Sequence, residues 1–390
     1  MKKLLWVLEH PSQYHAPLFR KLAAEKDIRL TVLYLNTNTS TPYVDKEFGR
    51  IIEWSTNLLE GYKSLSVNNL STTMVASALN YLRLNIFQKS DIKYDAVVIS
   101  GWNSLFYFAS LILAKLLGMR ILMRCEATNH FTNSKGIKRK LRSYYLKYFL
   151  RQVDVYLSIG KHNYDFYECH KTDAQQIISS PYCVDNELFS SAHDMQTFQL
   201  IRKRLGLNEH VPILLYASKL IPRKNPLLLL RGYEQLLDPK PYLLFIGDGI
   251  LRDAIAKYVL DNGLSRVRIL GFVNQDMLPW YYNMADIFVL ISREETWGLV
   301  VNEAMCSGCA ILGSEGVGCV PDLILHKENG YVISEYTPES VASAITFLVS
   351  QHRYRGYGTK SQQIVSRYSI EAAVNGVRHA LSCHDKDSNL

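Results

Sequence analysis

The chain has 390 residues, which is long for a single hydrophobic core and suits two domains of ordinary size. Hydrophobic residues make up 48% of the sequence and charged residues 21%, values that exclude an intrinsically disordered chain. No run of about 18 apolar residues predicts a membrane-spanning helix, and the net charge of +8 favours an anionic partner or surface.

Short apolar runs alternate with helical patterns, which is typical of parallel βαβ units. The first apolar run is short, ends at Glu9 and His10 and lacks a small-residue cleavage site, so we expect a buried strand rather than a signal peptide. Further strands are predicted in the first half at 3–8, 30–35, 96–100, 120–123, 153–159 and 177–179. The predicted helices between them include 71–88, 103–117 and 161–169.

Residues 135–151 hold seven basic side chains and no acidic one. Apolar and aromatic residues recur at helical spacing through this stretch: Ile137, Leu141, Tyr144, Tyr145 and Tyr148. A basic amphipathic helix of this kind can rest on an anionic membrane surface, or it can be a solvated helix over an ordinary core. A nucleic-acid partner is not expected, because no recognisable binding motif accompanies the charge.

A turn region rich in proline, asparagine and serine, near 180–193, separates two halves of similar layout. Strands in the second half are predicted at 213–217, 242–246, 267–270, 287–291, 310–313 and 331–333. We therefore expect an α/β protein with two Rossmann-like, doubly wound domains facing a central cleft, at 1–190 and 191–369. The segment 370–390 is expected to form a helix and a tail, with packing of the helix against the N-terminal domain as one option.

Glu295 and Glu303 stand eight residues apart, directly after the predicted strand at 287–291. A helix is expected to begin near Leu299 and to end at Gly308. This arrangement places Glu295 on the loop before the helix and Glu303 one turn inside it. One interpretation is an acidic residue near a helix N-cap and a second on the solvated helix face.

The other interpretation is a ligand site. The backbone N–H groups of Gly298, Leu299 and Val300 would lie at the start of the helix, where they have no partner within it and can bind an anion. Carboxylates on either side of a phosphate can hold sugar hydroxyls. Glu295 and Glu303 therefore predict a site for a nucleotide-diphosphate sugar.

Lys219 and Lys224 lie on a polar loop between a predicted strand and a helix opened by Pro226. Ligands that carry phosphate need fixed positive charge, both for binding and to neutralise the charge that builds on a departing diphosphate. Each charge-assisted contact is worth about 1.5–3 kcal/mol. Two solvated loop lysines are the alternative, but the acidic loop in the same domain favours a phosphate site.

Two glycine-containing turns follow the next two strands. Gly247 and Gly249 allow a close approach of the backbone to a phosphate, or they form an ordinary βα turn. Gly271 and Phe272 line a base pocket, or they simply turn the chain.

Taken together, these motifs resemble the nucleotide-binding domain of the retaining glycosyltransferases of family 4, which have the GT-B fold. That family typically shows a Gly-Arg-Leu…Lys-Gly loop, a Gly-x-Gly turn and an element close to E-G-F-G-L-x-x-x-E-A-M. The matching stretches here are Ser218-Lys-Leu…Lys224-Asn225, the turn at 247–249 and Glu295-Thr-Trp-Gly-Leu-Val-Val-Asn-Glu-Ala-Met305. The resemblance covers about 213–333 and, more loosely, the first domain.

The resemblance implies that Glu295 holds hydroxyls of the donor sugar and that Glu303 holds the ribose. It implies that the amides at 298–300 contact the donor and that Lys219 and Lys224 take the diphosphate. It also implies retaining transfer without a metal or other cofactor. In that family the leaving phosphate accepts the acceptor's proton, so a conventional general base is not required.

The chain also departs from the family pattern. Lys219 stands in place of the usual arginine and is a point charge without a bidentate fork. Ser218 and Asn225 stand in place of glycines. The glycine-rich loop common after the first strand is replaced by a polar turn at 10–17. These departures bear on the geometry of the donor.

The first domain is expected to bind the acceptor. His130 is the candidate catalytic residue, because relatives often place a histidine on a comparable loop near the donor sugar. Glu126 lies on the same loop, and His10 and His15 are rivals on the first βα loop. A structural role for each histidine remains an alternative.

We therefore expect a metal-independent hexosyltransferase that uses a nucleotide-diphosphate donor. The acceptor is expected to be a glycan or a lipid-linked glycan in the biosynthesis of lipopolysaccharide, capsule or exopolysaccharide. The expected location is cytoplasmic, with peripheral contact to the inner membrane face through 135–151, and the seven cysteines are expected to be reduced thiols. The alternatives are a non-catalytic sugar-nucleotide-binding scaffold, a GT-B nucleotide-sugar epimerase and a phosphorylase. The donor base, the sugar, the acceptor and the linkage stay open.

Overall fold

The computed structural model describes residues 1–45, 47, 49–67, 93–128, 137–172, 175–190 and 194–383. The chain divides into two compact units. The first consists of Met1–Pro42, Asn57–Tyr182 and Ile370–Leu390, and the second of Tyr43–Thr56 and Cys183–Ser369. This division differs from the expected domain limits at 43–56 and at 183–190, which were both expected in the first domain. Residues 43–56 belong to the second unit because they contact its side chains, such as Lys219 and Phe272.

The strands of the described residues are β1 (Lys2–Leu8), β2 (Ile28–Tyr34), β3 (Tyr43–Asp45), β4 (Arg50–Ile52), β5 (Ser64–Ser66), β6 (Ala96–Ile99), β7 (Arg120–Met123), β8 (Val155–Ser158), β9 (Gln176–Ser179), β10 (Ile213–Ala217), β11 (Tyr242–Ile246), β12 (Val267–Gly271), β13 (Ile287–Leu290), β14 (Ala310–Ser314) and β15 (Gly330–Ile333). All twelve strands predicted from the sequence are present, with ends that differ by at most two residues. The three others, β3, β4 and β5, are too short to give an alternating pattern.

The α-helices of the described residues are α1 (His15–Ala24), α2 (Leu105–Leu116), α3 (Ile137–Leu150), α4 (Lys161–Glu168), α5 (Asn186–Ser190), α6 (Met195–Leu205), α7 (Pro226–Glu234), α8 (Arg252–Asp261), α9 (Leu278–Met284), α10 (Leu299–Cys306), α11 (Val320–Leu323), α12 (Pro338–Val349), α13 (Arg353–Val365) and α14 (Ile370–Ser382). The predicted helix at 71–88 lies outside the described residues. In the described ranges, no helix has both the length and the apolar character needed to cross a membrane.

The first unit is built on a seven-stranded parallel sheet with the order β5-β2-β1-β6-β7-β8-β9. Helix α14 packs against α1 and β9 of this unit. A Cβ on Gly376 of α14 would lie 2.1 Å from the carbonyl oxygen of Ser179, so only glycine allows this close packing. The C-terminal helix therefore completes the first unit.

The second unit is built on a six-stranded parallel sheet with the order β12-β11-β10-β13-β14-β15. Strands β10, β11 and β14 are buried along their whole length. Continuous apolar sequences of this kind are typical of parallel strands that are covered on both faces. Each unit thus contains a doubly wound parallel sheet, which confirms the predicted α/β class.

A small antiparallel pair, β3 with β4, belongs to the second unit. We call residues 43–56 the hairpin segment. The chain enters it directly from the first unit and returns to that unit at Asn57. The sequence analysis did not predict this pair.

Candidate functional site

The strand order of the second sheet reverses between β10 and β13, because β11 and β12 are added on one side and β14 and β15 on the other. Loops that leave the carboxyl ends of strands at such a reversal form the usual ligand site of open α/β sheets. The side-chain amide of Asn225, on the loop after β10, donates a hydrogen bond of 2.8 Å to the carbonyl oxygen of Ile291 after β13. This bond fixes the two loops against each other.

Lys224 and Glu295 form an ion pair where these loops meet. Nζ of Lys224 contacts Oε2 of Glu295, and the two side chains are 9% and 15% exposed. Burial lowers the pKa of Lys224, and the charge of Arg223 acts in the same direction. Glu47 raises this pKa and Lys219 lowers it. The carboxylate of Glu295 favours the charged form of the lysine and so opposes this lowering, and the Glu295 side chain as a whole stays partly exposed.

Glu295 is held in place by the loop after β14. Its N–H donates to the carbonyl oxygen of Gly316 and its own carbonyl accepts from the N–H of Gly318, both at 2.9 Å. A Cβ on Gly316 would lie 2.3 Å from the carbonyl oxygen of Arg293, and one on Gly318 would lie 2.0 Å from that of Thr296. This loop was not among the predicted site elements, although its two nearby glycines were an available signal.

Helix α10 begins at Leu299 as predicted, directly after Gly298. Gly298 has a φ of 98°, in the left-handed region, and a Cβ there would lie 3.0 Å from Leu290. The helix start therefore sits close to the end of β13. The first N–H groups of a helix have no partner within it, and their use by a donor, at Leu299 and Val300, remains a prediction.

Glu303 lies inside the second unit and is 1% exposed. Its Oε2 accepts a hydrogen bond of 2.7 Å from the hydroxyl of Tyr282 on α9, which is itself buried. The interpretation of Glu303 as a residue of the solvated helix face is therefore wrong. Its role toward a ribose remains a prediction.

Lys219 and Arg223 both contact acidic residues of the hairpin segment. Nζ of Lys219 lies 3.1 Å from Oδ2 of Asp45 and 2.7 Å from Oε2 of Glu47. Arg223 lies 3.5 Å from Glu47 and 4.0 Å from Glu295. Arg223 was not among the predicted site residues; it adds a guanidinium to the lysine pair and so supplies the planar fork that Lys219 lacks.

The glycine turn after β11 packs against the loop after β10. Gly247 and Gly249 have φ values of 130° and 150°. A Cβ on Gly247 would lie 2.0 Å from the carbonyl oxygen of Ser218, and one on Gly249 would lie 2.6 Å from that of Leu220. The glycines thus allow contact between two stretches of protein backbone, on either side of Lys219. Contact of Gly249 with a donor remains a prediction.

Phe272 follows β12 and lies against the hairpin segment. The guanidinium carbon of Arg50 is 5.2 Å from the centre of its ring, and the ring of Trp54 is 6.4 Å away. The side-chain amide of Asn274 donates a hydrogen bond of 2.7 Å to the carbonyl oxygen of Glu53. The predicted base pocket at Phe272 is untested, but the residues that cover this ring come from a segment that the sequence analysis assigned elsewhere.

In the first unit, the candidate His130 lies outside the described residues. His15 is partly buried, and its Nδ1 is 2.8 Å from Oγ of Ser12. Burial lowers the pKa of His15 to about 3, helped by the positive charges of Arg124 and His10. His15 is therefore neutral at ordinary pH and cannot carry positive charge toward a ligand.

Glu126 follows β7 and accepts a hydrogen bond from the hydroxyl of Tyr182. The guanidinium of the buried Arg124 lies 5.0 Å from the centre of the Tyr182 ring. Arg124 also donates to the carbonyl oxygens of Ser180 and Pro181. These contacts tie the end of β7 to the residues that follow β9, so Glu126 has a structural partner.

Helix α3 spans most of the predicted basic stretch. Tyr145 turns inward, where its hydroxyl donates to the carbonyl oxygen of Trp102 at 2.9 Å. Tyr144 and Tyr148 are 73% and 51% exposed, and the neighbouring side chains of Lys140, Lys147 and Arg151 are exposed as well. The two exposed tyrosines thus lie among basic side chains at the surface of the first unit.

Among the described side chains, no group of three or more His, Cys, Asp or Glu residues has an arrangement that could hold a metal ion. All seven cysteines are free thiols. In Cys306, burial raises the pKa to about 12, so this thiol stays protonated. Lys219, Arg223 and Lys224 bring positive charge to the second unit's site.

Comparison with known proteins gives a family match for the part of the chain that carries this site. Residues 197–371 match the family described as Glycosyl transferases group 1. Sulfoquinovosyl transferase SQD2 of Arabidopsis thaliana is 27% identical over 288 residues, which are 70% of this chain and 53% of that protein. The chain spans about half the length of the curated relatives that it matches.

Two solved structures have the same fold over nearly the whole chain. Anabaena HepE in complex with UDP and glucose gives a TM-score of 0.73 at 17% identity and covers 98% of this chain and 100% of HepE. WaaG, a glycosyltransferase involved in lipopolysaccharide biosynthesis, gives 0.66 at 15% identity, with 97% and 100% covered. The chain therefore has the GT-B fold, and its segment 197–371, which contains the loops after β10 and β13, matches the model of the glycosyl transferases group 1.

Proposed function

We propose that this protein is a retaining glycosyltransferase of family 4. It transfers a hexose-type sugar from a nucleotide-diphosphate donor to a glycan or lipid-linked glycan in the assembly of a surface polysaccharide. The proposal of a sugar-nucleotide donor is carried by one observation: Lys219, Arg223 and Lys224 cluster with Glu295 at the strand-order reversal of a group 1 domain.

The cations of this cluster provide fixed positive charge for a diphosphate. Charge develops on the diphosphate as the bond to the sugar breaks, and cations that are already in position stabilise it without rearrangement. A guanidinium binds two phosphate oxygens at once, whereas an ammonium acts as a point charge. Arg223 therefore orients the diphosphate, and Lys219 and Lys224 neutralise it.

Glu295 has the position and the charge to hold hydroxyls of the donor sugar. Its backbone is fixed by the loop at 315–319, and its side chain remains partly exposed. A fixed carboxylate accepts hydrogen bonds from hydroxyls and sets the sugar's orientation, which is a large source of rate. The departing diphosphate accepts the proton of the acceptor hydroxyl, so no side chain needs to act as a general base. The retaining outcome rests on the resemblance to family 4.

The acceptor class rests on two further observations. WaaG, a structural neighbour, is involved in lipopolysaccharide biosynthesis. The exposed tyrosines of α3 lie among basic side chains, which is typical of helices that rest on anionic lipid. Both observations support an acceptor that is a lipid-linked glycan at the inner membrane face. They also support a cytoplasmic location with peripheral contact to the membrane.

The test begins with binding of UDP, GDP, ADP, dTDP and CMP, followed by thermal unfolding with and without EDTA. A nucleotide at about 100 times its dissociation constant should stabilise the protein by roughly 2.7 kcal/mol. We expect one diphosphate to do so, equally well in EDTA. Failure of all four diphosphates to bind, with or without binding of the monophosphate CMP, would contradict the proposal.

The second step measures transfer with the donor so identified and an extract of lipid-linked glycans. Glu295→Ala should lower the transfer rate about 100-fold, because the donor sugar loses its orientation. Glu294→Ala is the matched control, since its side chain is exposed and adjacent in sequence. Conversion of the donor without any acceptor would favour the epimerase, and tight binding without turnover would favour the scaffold.

A further inference from the structure

The hairpin segment carries acidic residues that occupy the cationic cluster of the second unit. Both carboxylate oxygens of Asp45 lie within hydrogen-bond distance of Nζ of Lys219, at 3.2 and 3.1 Å. Glu47 contacts the same Nζ at 2.7 Å through one oxygen and Arg223 at 3.5 Å through the other. Two carboxylates thus lie on two of the three cations that we assign to the diphosphate.

The same segment is held at a second point by an arginine. Arg50 lies 3.6 Å from the carboxylate of Asp248 and stacks over Phe272. Asp248 belongs to the glycine turn after β11 and also contacts Arg252 at 3.1 Å. The hairpin segment therefore contacts the second unit from the loop after β10, which carries Lys219 and Arg223, to the loop after β12.

We propose that Asp45 and Glu47 occupy the diphosphate position as an internal anion, and that the donor displaces them when it binds. This inference rests on the proposed function, since it takes Lys219 and Arg223 as ligands of the diphosphate. Two neighbouring carboxylates resemble a diphosphate in what they offer a lysine and an arginine: adjacent negative charges and several acceptor oxygens.

The ion pairs of Asp45 and Glu47 with Lys219 and Arg223 are exposed enough for a bound diphosphate to replace them. The side chains of Lys219 and Asp45 are 25% and 17% exposed, and that of Glu47 is 47% exposed. The pair of Glu47 with Arg223, in which both side chains are more than 40% exposed, contributes little free energy, because solvent screens it and two long side chains must be ordered. A diphosphate that brings more charge and further contacts can replace them. In the absence of donor, the same contacts keep Lys219 and Arg223 paired.

The test compares Glu47→Gln with Glu53→Gln, using calorimetric titration with UDP or whichever diphosphate stabilises the wild type. Glu53 lies in the same segment, its side chain is exposed, and its substitution removes the same charge. We expect Glu47→Gln to bind the diphosphate about three- to tenfold more tightly than wild type, since one competing anion is gone. Asp45→Asn combined with Glu47→Gln should bind more tightly still. Glu53→Gln should bind as wild type does.

Hydrogen exchange of the wild type provides an independent readout. We expect amides of residues 43–56 to exchange faster when the diphosphate is bound, while amides around Lys224 exchange more slowly. Unchanged or weaker binding by Glu47→Gln, or slower exchange across 43–56, would overturn the inference and leave the proposed function standing. Failure of the wild type and of the double variant to bind any diphosphate would overturn both.

Discussion

The ion pair of Lys224 and Glu295 combines two roles that a substitution can separate. Each partner compensates the charge of the other in a place with little solvent, and each is also assigned to the donor. Removing one partner leaves a poorly solvated charge, whereas removing both charges leaves none. Stability and activity should therefore respond differently to the double substitution.

We predict that Lys224→Met lowers stability by about 1–3 kcal/mol. Adding Glu295→Gln should restore much of that loss, while transfer stays abolished in both variants. Thermal unfolding and initial transfer rates measure the two effects. Lys257→Met is the control, because its pair with Asp261 is exposed and its loss should cost little. Additive losses of stability in the double variant would show that the pair is not coupled.

The buried carboxylate of Glu303 depends on a hydrogen bond from a residue that is distant in the sequence. A carboxylate inside a protein needs hydrogen-bond donors, and the hydroxyl of Tyr282 is one of them. Both side chains lie within the described core of the second unit, on helices α10 and α9. The sequence placed Glu303 correctly on its helix but gave no sign of the tyrosine that it meets.

At the scale of elements, the glycine turn after β11 determines where Lys219 can lie. The turn presses against the backbone of Ser218 and Leu220, and only residues without a Cβ permit that distance. Positive φ at Gly247 and Gly249 adds a second reason for glycine. The turn and the loop after β10 therefore act as one rigid support.

We predict that Gly247→Ala lowers stability by more than about 2 kcal/mol, because both the φ value and the clash with Ser218 oppose a Cβ. Nucleotide affinity should fall with it, since the loop carrying Lys219 must shift. Gly356→Ala is the matched control, and here we expect the same substitution to raise the stability. Gly356 lies inside α13, and a Cβ added there would meet no atom within 4 Å beyond the adjacent residues and the nearby backbone of its own helix, so alanine should stabilise the helix by about 0.5–1 kcal/mol. Equal losses in both variants would contradict the argument.

At the scale of the whole molecule, the charge surplus gathers on α3 of the first unit. Helix α3 is anchored by Tyr145 and by the buried Phe149 and Leu150, and it leaves Tyr144 and Tyr148 at the surface. An interface between lipid and water accommodates both the ring and the hydroxyl of a tyrosine. The basic neighbours add attraction to anionic lipid, about 1 kcal/mol for each side chain near the surface.

We predict that the protein sediments with vesicles that contain anionic lipid at low salt, and that it does so less with neutral vesicles. Replacing Tyr144 and Tyr148 by serine should reduce the bound fraction several-fold without changing nucleotide binding. Tyr164→Ser is the control, because Tyr164 is an exposed tyrosine of another helix in the same unit. Equal binding to neutral vesicles, or no effect of the double substitution, would contradict a membrane role for α3.

The sequence by itself determined the order and bounds of the main strands, because parallel strands covered on both faces read as unbroken apolar runs. It also placed Lys224 and Glu295 on loops that leave such strands, since the apolar pattern ends just before them. Only the tertiary structure decided what these side chains meet. Lys219 and Asp45 are 174 residues apart, and no local pattern reports a contact between them. Short strands such as β3 and β4 bury too little to show a periodic signal, so their membership of the second unit follows from packing alone.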